Sequence, residues 1–589
     1  MMPNHNYENY YSLLSTMMIN NIHIVIAIIL VLISLIFYYT RATIVKRQKS
    51  RFRKRDKIMF YGTRFIRRLK TIKRKQLKKW ALNSKPPVVW MGNTNDNKAV
   101  QCSAYKSVAL FPNSYEVPIS SFSRELKHSL SATENVLHLS SGKVLEQLGQ
   151  SAFEESKSHL LSLWLDQRES EHEIVVYQCD YGLTPWTKQC LKKSNCILVI
   201  AMAHLEPNLS AFEQQLYNLQ LTTPLELVLL HKFDTQKPKH TSLWLSLRSW
   251  PQHHHLRCPT RVLVRKRSKI EDIYGELSKT CPSSDGDFPR LARYLTGKSI
   301  GLVLGGGGAR GAAHLGMIKA MREAHMPIDM IGGVSIGAFM GALWAQEADL
   351  TPVTQLARNW SFKMTSLWRQ LLDLTYPATA MFTGAAFNAT IYEVFGDRQI
   401  EDLWIPYFTV TTDISNSAPR IHRHGSLWRY VRASMSLSGY LPPLCDPIDG
   451  HLLLDGGYVN NLPADVMHNV MGARNIVAVD VGSQDETDLT DYGDTLSGWW
   501  LLWNRWKLFG QTIRVPSLPE IQSRLAYVSC VRQLEEVKRS NYCNYIRPPI
   551  DKYKTMQFGS FDQIFEIGYQ HGKMTFPDEK AARRAVQDA

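Results

Sequence analysis

The sequence predicts an α/β protein: a second half built as three α/β/α layers, an accessory α/β unit before it, and one N-terminal transmembrane helix. Three observations lead there. From about residue 136, short apolar runs alternate with helical patterns, as in parallel strands joined by helices. Two strand, glycine turn, helix units follow each other between 299 and 344. Near the start, residues 22–39 contain no Asp, Glu, Lys or Arg.

That run, IHIVIAIILVLISLIFYY, would span about 27 Å as a helix, close to a hydrocarbon core of about 30 Å. A cleaved signal peptide fits poorly, because 1–21 has no basic stretch and no small-residue cleavage pattern precedes Arg41. The 589 residues carry a net charge of +17, and its location decides its meaning. Between 41 and 79 stand 18 Lys/Arg against a single acid, Asp56, whereas 80–589 hold 51 basic and 50 acidic residues. A nucleic-acid reader spreads basic residues over its folded surface, so no nucleic-acid partner is expected. The stripe 40–80 reads instead as a juxtamembrane segment beside anionic lipid, placing the bulk of the chain on the cytoplasmic side and 1–21 on the other.

Residues 81–135 are polar and irregular and read as a linker with some short strands. The unit at 136–290 carries apolar runs at 174–177, 196–202, 225–230 and 260–264, with helical patterns at 184–194 and 211–220. It offers no phosphate loop and reads as accessory. The run His253-His254-His255, beside Pro251, reads as a surface loop rather than a metal site. Nine cysteines without a CxxC pair read as free thiols, and neither metal nor cofactor is expected.

The chemistry lies in 295–575, before a polar tail at 576–589. The apolar run 299–304 enters Gly305-Gly306-Gly307-Gly308-Ala309-Arg310-Gly311 and then a helical pattern with Leu315, Ile318 and Met321. A glycine turn at a helix N-terminus presents free N–H groups to an anion. It serves either an oxyanion hole or a dinucleotide site, the latter with Asp329 as ribose acid. The next unit favours the first. Strand 327–332 leads into Gly333-Val334-Ser335-Ile336-Gly337, with apolar residues at 336, 339, 340, 343 and 344 on one helix face. This is a GxSxG nucleophile elbow in its required context. A serine needs a base, and Asp455, ending the apolar run 452–454 before Gly456-Gly457, is a candidate, although taken alone this Asp-Gly reads better as a structural β-turn. Asparagines 460 and 461 follow, placed to brace that loop.

Together, Gly306 to Gly311, Gly333 to Gly337 and Asp455-Gly456-Gly457 resemble the patatin-like phospholipase family. Further stretches, among them RFRKRDKIMFYG, SRELKHSL, LTPWTKQC and RASMSLSGYLPPLCDP, are similar to its neuropathy target esterase and lysophospholipase branch. The resemblance implies a Ser335–Asp455 dyad, with Gly306, Gly307, Gly308, Ala309, Arg310 and Gly311 as oxyanion hole. His314 is then structural. Arg310's side chain either steers a phosphate headgroup or pairs with an acid at the loop, and the structural role is the preferred one. It also implies an endoplasmic-reticulum-anchored hydrolase of phosphatidylcholine and lysophosphatidylcholine. The chain departs from that pattern in leaving too few residues between stripe and accessory unit for a cyclic-nucleotide-binding domain, so nucleotide regulation is not carried over. The stretch Trp499-Trp500-Leu501-Leu502-Trp503-Asn504-Arg505-Trp506 is expected at the bilayer interface, along an acyl channel or, equally, in a hydrophobic-core helix. The competing reading of the whole chain is a catalytically idle membrane scaffold.

Overall fold

The computed structural model describes residues 104–576, apart from 155–157, 236, 249, 251, 367–370, 483–490, 499, 502–514 and 516–517. The expected span (22–39), the basic segment (40–80) and the tail beyond 576 lie outside the described residues. Among those described, no helix is long and apolar enough to cross a membrane. All of them fall within one compact unit.

Two parallel sheets organise the chain. The first has six strands: β1 (Ser107–Pro112), β2 (Val136–Ser140), β3 (Ile174–Gln178), β4 (Cys196–Met202), β5 (Leu225–Lys232) and β6 (His253–Cys258). They lie in the order β2-β3-β1-β4-β5-β6, every pairing parallel. β1 and β4 are buried along their whole length, as strands covered on both faces must be. Their alternation feeds two cores. Val108 and Leu110 face Phe122, Leu126, Phe288 and Leu291 on one side. Ala109 and Phe111 face Leu165, Trp186 and Trp244 on the other.

Three expectations differ from the structure. The stretch 81–135, expected as a linker with some short strands, contains β1, the central strand, and the helix Ile119–Leu130. The last strand is His253–Cys258 and not 260–264, which forms a 3-10 turn over Thr260–Leu263. The histidine run is therefore an edge strand at a domain junction rather than a surface loop. His255 is buried, donates through Nε2 to the Glu401 carbonyl at 2.9 Å and accepts from His231 Nε2 at 2.9 Å. Burial holds both imidazoles neutral by pushing their pKa values down.

The second sheet has eight strands: β7 (Ile300–Leu304), β8 (Met330–Gly333), β9 (Tyr407–Asp413), β10 (Ala418–His422), β11 (Leu444–Cys445), β12 (Leu452–Asp455), β13 (Asn475–Val479) and β14 (Cys543–Ile546). The order is β11-β12-β9-β8-β7-β13-β14, with β10 paired to β9. β9, β8, β7, β13 and β14 are parallel, β10 and β12 each pair antiparallel with β9, and β11 pairs antiparallel with β12. Helices Ala312–Glu323, Ile336–Glu347 and Phe561–Thr575 pack on one face around Leu302 and Leu304. Helices Ala464–Asn469 and Leu518–Arg539 cover the other, around Val303. The result is the expected three layers.

The two sheets are joined by the helix Asp287–Leu295. Its Arg293 grips Asp329 with contacts of 2.6 to 3.1 Å, and Asp329 also accepts the Ile300 N–H at 3.0 Å. Asp329 is 1% exposed and fully engaged, so it has no lone pairs to offer a ribose.

Candidate active site

The site forms where β7 and β8 end. Leaving β8, the chain turns sharply at Ser335, which sits at φ 55°, ψ −124° and caps the helix Ile336–Glu347. A non-glycine residue with φ > 0 is strained and persists only where its surroundings hold it. The elbow is tight because Gly337 passes so near β7 that a Cβ there would meet the Leu304 carbonyl oxygen at 2.1 Å. At Gly333 the same oxygen would be met at 2.6 Å. The serine N–H is fixed by Ser434 Oγ at 3.0 Å, and Ser434 donates onward to the Val410 carbonyl at 2.7 Å.

Asp455 closes β12 and caps the 3-10 turn Gly456–Tyr458. Ser335 Oγ donates to its Oδ2 at 2.8 Å. Its Oδ1 accepts the Gly457 N–H at 2.8 Å, and its own N–H donates to the Ser436 carbonyl at 3.1 Å. Ser434 and Ser436, two residues apart, thus tether both members of the pair. Burial pushes the Asp455 pKa up to about 7, against the opposing pull of the Gly457 and Ser335 hydrogen bonds. A carboxyl with that affinity for protons matches the strength a general base needs near neutrality.

The glycine turn separates into two parts. Gly306, Gly307 and Gly308 line the cleft beside Ser335 and Asp455. Gly307 and Gly308 stand at the start of a 3-10 turn, Gly308–Gly311, and their N–H groups have no acceptor among the described residues. Ala309, Arg310 and Gly311 do not line it. Ala309 donates its N–H to the Thr555 carbonyl at 2.7 Å, which removes it from the expected set of oxyanion donors. Arg310 is buried and its guanidinium donates to the Gly307 carbonyl (3.3 Å) and Thr555 Oγ1 (3.4 Å). Gly311 lies against Ile336, where a Cβ would meet Cγ1 at 2.4 Å. Gly308, at φ +62°, would put a Cβ 2.2 Å from the Thr555 carbonyl oxygen. His314 donates through Nε2 to the Gly305 carbonyl at 2.8 Å, and burial lowers its pKa to about 4, so it braces the turn as a neutral ring.

Asn461 joins the two loops. Its Nδ2 reaches the Gly306 carbonyl at 3.4 Å, and its side-chain oxygen lies where a Cβ on Gly457 would come within 3.1 Å. Asn460 instead donates to Asp465 at 2.7 Å. Behind the dyad loop, Cys530 Sγ contacts the Gly457 carbonyl at 3.1 Å. The cleft, a cavity of about 150 Å³, extends from Ser335 between Trp360, Phe387, Met435, Leu441 and Phe558. Lys363 and Asp373 are the charged residues of its wall apart from Asp455. Of the tryptophan stretch, Trp500 is exposed, while Trp499, Trp503 and Trp506 lie outside the described residues or carry no described side chain.

Ser434, Ser436 and Thr555 are the contributors that sequence reasoning missed. Ser434 and Ser436 stand in RASMSLSG, a stretch whose resemblance was noticed without a role for its hydroxyls.

A parallel-sheet domain with its serine on a GxSxG elbow, an aspartate as sole partner and a glycine turn beside them defines a patatin-like serine hydrolase domain. The comparison with known families agrees: residues 302–468 match the family described as patatin-like phospholipase. Residues 104–281 match the family described as neuropathy target esterase family P-loop like domain. The chain is 58% identical over 483 residues to neuropathy target esterase sws of Drosophila melanogaster, covering 82% of this chain and 34% of that protein. It is 54% identical over 522 residues to the Drosophila willistoni protein of the same name, covering 82% and 35%. The chain thus spans about a third of the length of these relatives. Among solved structures, VipD from Legionella pneumophila aligns at 13% identity and a TM-score of 0.27, covering 47% of this chain and 66% of that one, a likeness too slight to build on.

Proposed function

We propose that this protein is a serine esterase that removes acyl chains from lysophosphatidylcholine and phosphatidylcholine, acting by a Ser335–Asp455 dyad. The observation that carries the reading is the 2.8 Å hydrogen bond from Ser335 Oγ to an aspartate whose pKa burial lifts to about 7. Ionised Asp455 takes the serine proton as Oγ attacks the ester carbonyl. The N–H groups of Gly307 and Gly308 receive the oxyanion, each worth about 3 kcal/mol at comparable sites. Protonated Asp455 returns its proton to the leaving alcohol. Ionised again, it takes a proton from the water whose oxygen attacks the acyl carbonyl, and it passes that proton to Ser335 Oγ as the C–Oγ bond breaks and the fatty acid leaves.

The largely apolar cleft suits an acyl chain. The relatives' printed name, neuropathy target esterase, supports ester hydrolysis. The choline headgroup rests on the family resemblance. Placement of the enzyme, through a span at 22–39 and a basic collar at 40–80, in the endoplasmic reticulum membrane with its catalytic half in the cytoplasm, rests on the sequence pattern and that same resemblance.

The test is fluorophosphonate labelling of membranes holding the full chain, alongside fatty-acid release from lysophosphatidylcholine. Ser335→Ala is expected to abolish both. Persisting turnover in that variant would remove the assignment.

A further inference from the structure

The largest cavity described lies away from Ser335, where the accessory sheet meets the catalytic one. It encloses about 410 Å³ outside the carboxyl ends of β5 and β6. In parallel sheets, ligands bind in crevices at that end of the strands. Five arginines line it: 257, 261, 290, 293 and 322.

Four are held by carboxylates. Arg261 forks onto Glu125 at 2.7 and 2.8 Å, Arg290 pairs with Asp287 at 2.6 Å, Arg293 grips Asp329, and Arg322 lies 3.5 Å from Asp285. Those are the four acids of the cleft wall, and each is taken. Arg257 is the exception. Its guanidinium lies 4.2 Å over the Trp404 ring, with no carboxylate within ion-pair distance among the described residues. Its Nε is buried and finds no acceptor. An unanswered donor on a half-buried guanidinium is costly unless something satisfies it. The Trp404 ring under it restrains the planar guanidinium, which favours an oriented fork over a mobile charge. Beside it the helix Asp287–Leu295 begins at Gly286 without a side-chain cap. Its first-turn N–H groups add positive potential to the same space.

We propose that this interdomain cleft binds a phosphate-bearing small molecule, with Arg257 as the residue that receives the phosphate. A planar fork favours carboxylate or phosphate. The one uncompensated cation among four paired ones favours a group of higher charge density, and the cavity has room for an organic body as well as the phosphate. Exposed Phe233 lies in its wall and supplies an apolar face. The catalytic sheet supplies Ile328 and Asp329, just before β8, and Trp344 and Ala348, at the end of the Ile336–Glu347 helix. Both ends of the strand–elbow–helix unit that carries Ser335 therefore border the cleft. A bound ligand touches the support of the nucleophile without entering its pocket.

Calorimetry on the detergent-solubilised full chain tests this with three probes: inorganic phosphate, AMP, and phosphatidylcholine vesicles containing phosphatidic acid. Saturable binding of inorganic phosphate or AMP, weakened about ten-fold or more by Arg257→Gln, is the expected result. Binding of the vesicles alone, lost in the same variant, assigns the phosphate to a lipid headgroup. Hydrogen exchange on the unsubstituted chain covers the case in which Arg257→Gln fails to fold: the bound probe should slow exchange at 257–261 and 284–290. No binding by any probe up to about 10 mM overturns the proposal. So does equal affinity in Arg257→Gln, or protection that appears only elsewhere.

Discussion

The molecule builds two parallel sheets, and in each the first strand in the chain is interior and feeds a turn and a helix. After β7 that turn is Gly305 to Gly311; after β1 it is Asn113-Ser114-Tyr115-Glu116-Val117-Pro118, without a glycine. The glycine turn lies against Thr555, Val481 and the elbow at distances no side chain would tolerate, and it keeps two N–H groups free at a cleft. The other turn carries a cluster of rings, with Tyr115 5.3 Å from Tyr181 and 5.1 Å from Phe212. The same topology yields a mouth with two unoccupied N–H groups in one sheet and an aromatic plug in the other. The difference is whether backbone or side chain occupies the space where the first strand ends.

Substitutions can break or sharpen that contrast. The largest effect is expected at Asp455→Asn, which should lower hydrolysis by about three orders of magnitude or more. The same change should stabilise the fold. Asp455 holds its proton up to about pH 7 when folded, and would lose it near pH 4 when unfolded. Its burial therefore costs stability progressively as pH rises between those values, and fully above them. Urea denaturation at pH 8 should show the asparagine variant more stable by roughly 2–4 kcal/mol, with the gain vanishing near pH 4. A variant less stable than the parent at pH 8 would contradict that assignment.

Next comes the glycine turn. Gly308→Ala should reduce turnover by about a hundredfold or destabilise the fold, since its Cβ meets a carbonyl oxygen. Its counterpart Ser114→Ala should leave hydrolysis unaltered, and equal effects at the two would erase the contrast. Ser434→Ala should lower kcat by about tenfold with KM unchanged, because it loosens the nucleophile and touches no substrate. In the parent, kcat/KM should rise with pH through about 7 as Asp455 ionises and then level off. With no imidazolium in the mechanism, a second, falling limb between pH 7 and 9 would point to another acid. The smallest effect is expected at Tyr115→Ser: a drop of a few degrees in melting temperature and no loss of turnover.

Local pattern made much of this legible. Strand, glycine turn, serine and amphipathic helix lie within some 45 residues, and each leaves a periodic trace. β1 escaped because SVALFP is six apolar-rich residues in a polar stretch, and its centrality comes from partners far along the chain. The histidine strand escaped because three imidazoles look polar until burial makes them neutral. Ser434 touches Ser335 across 99 positions, and no spacing rule reaches that far. Six candidate oxyanion residues become two because Asn461 takes the Gly306 N–H, Thr555 takes the Ala309 N–H, and Arg310 and Gly311 lie outside the cleft wall.

That contact with Thr555 also bears on synthesis. A ribosome makes β7, the glycine turn and the elbow long before residue 555 emerges, and domains fold as their segments appear. The nascent enzyme would then carry its nucleophile and base, yet hold a turn whose Ala309 N–H and Arg310 guanidinium still lack the segment that secures them. The completed glycine turn would therefore form only late in translation, after residue 555 has emerged.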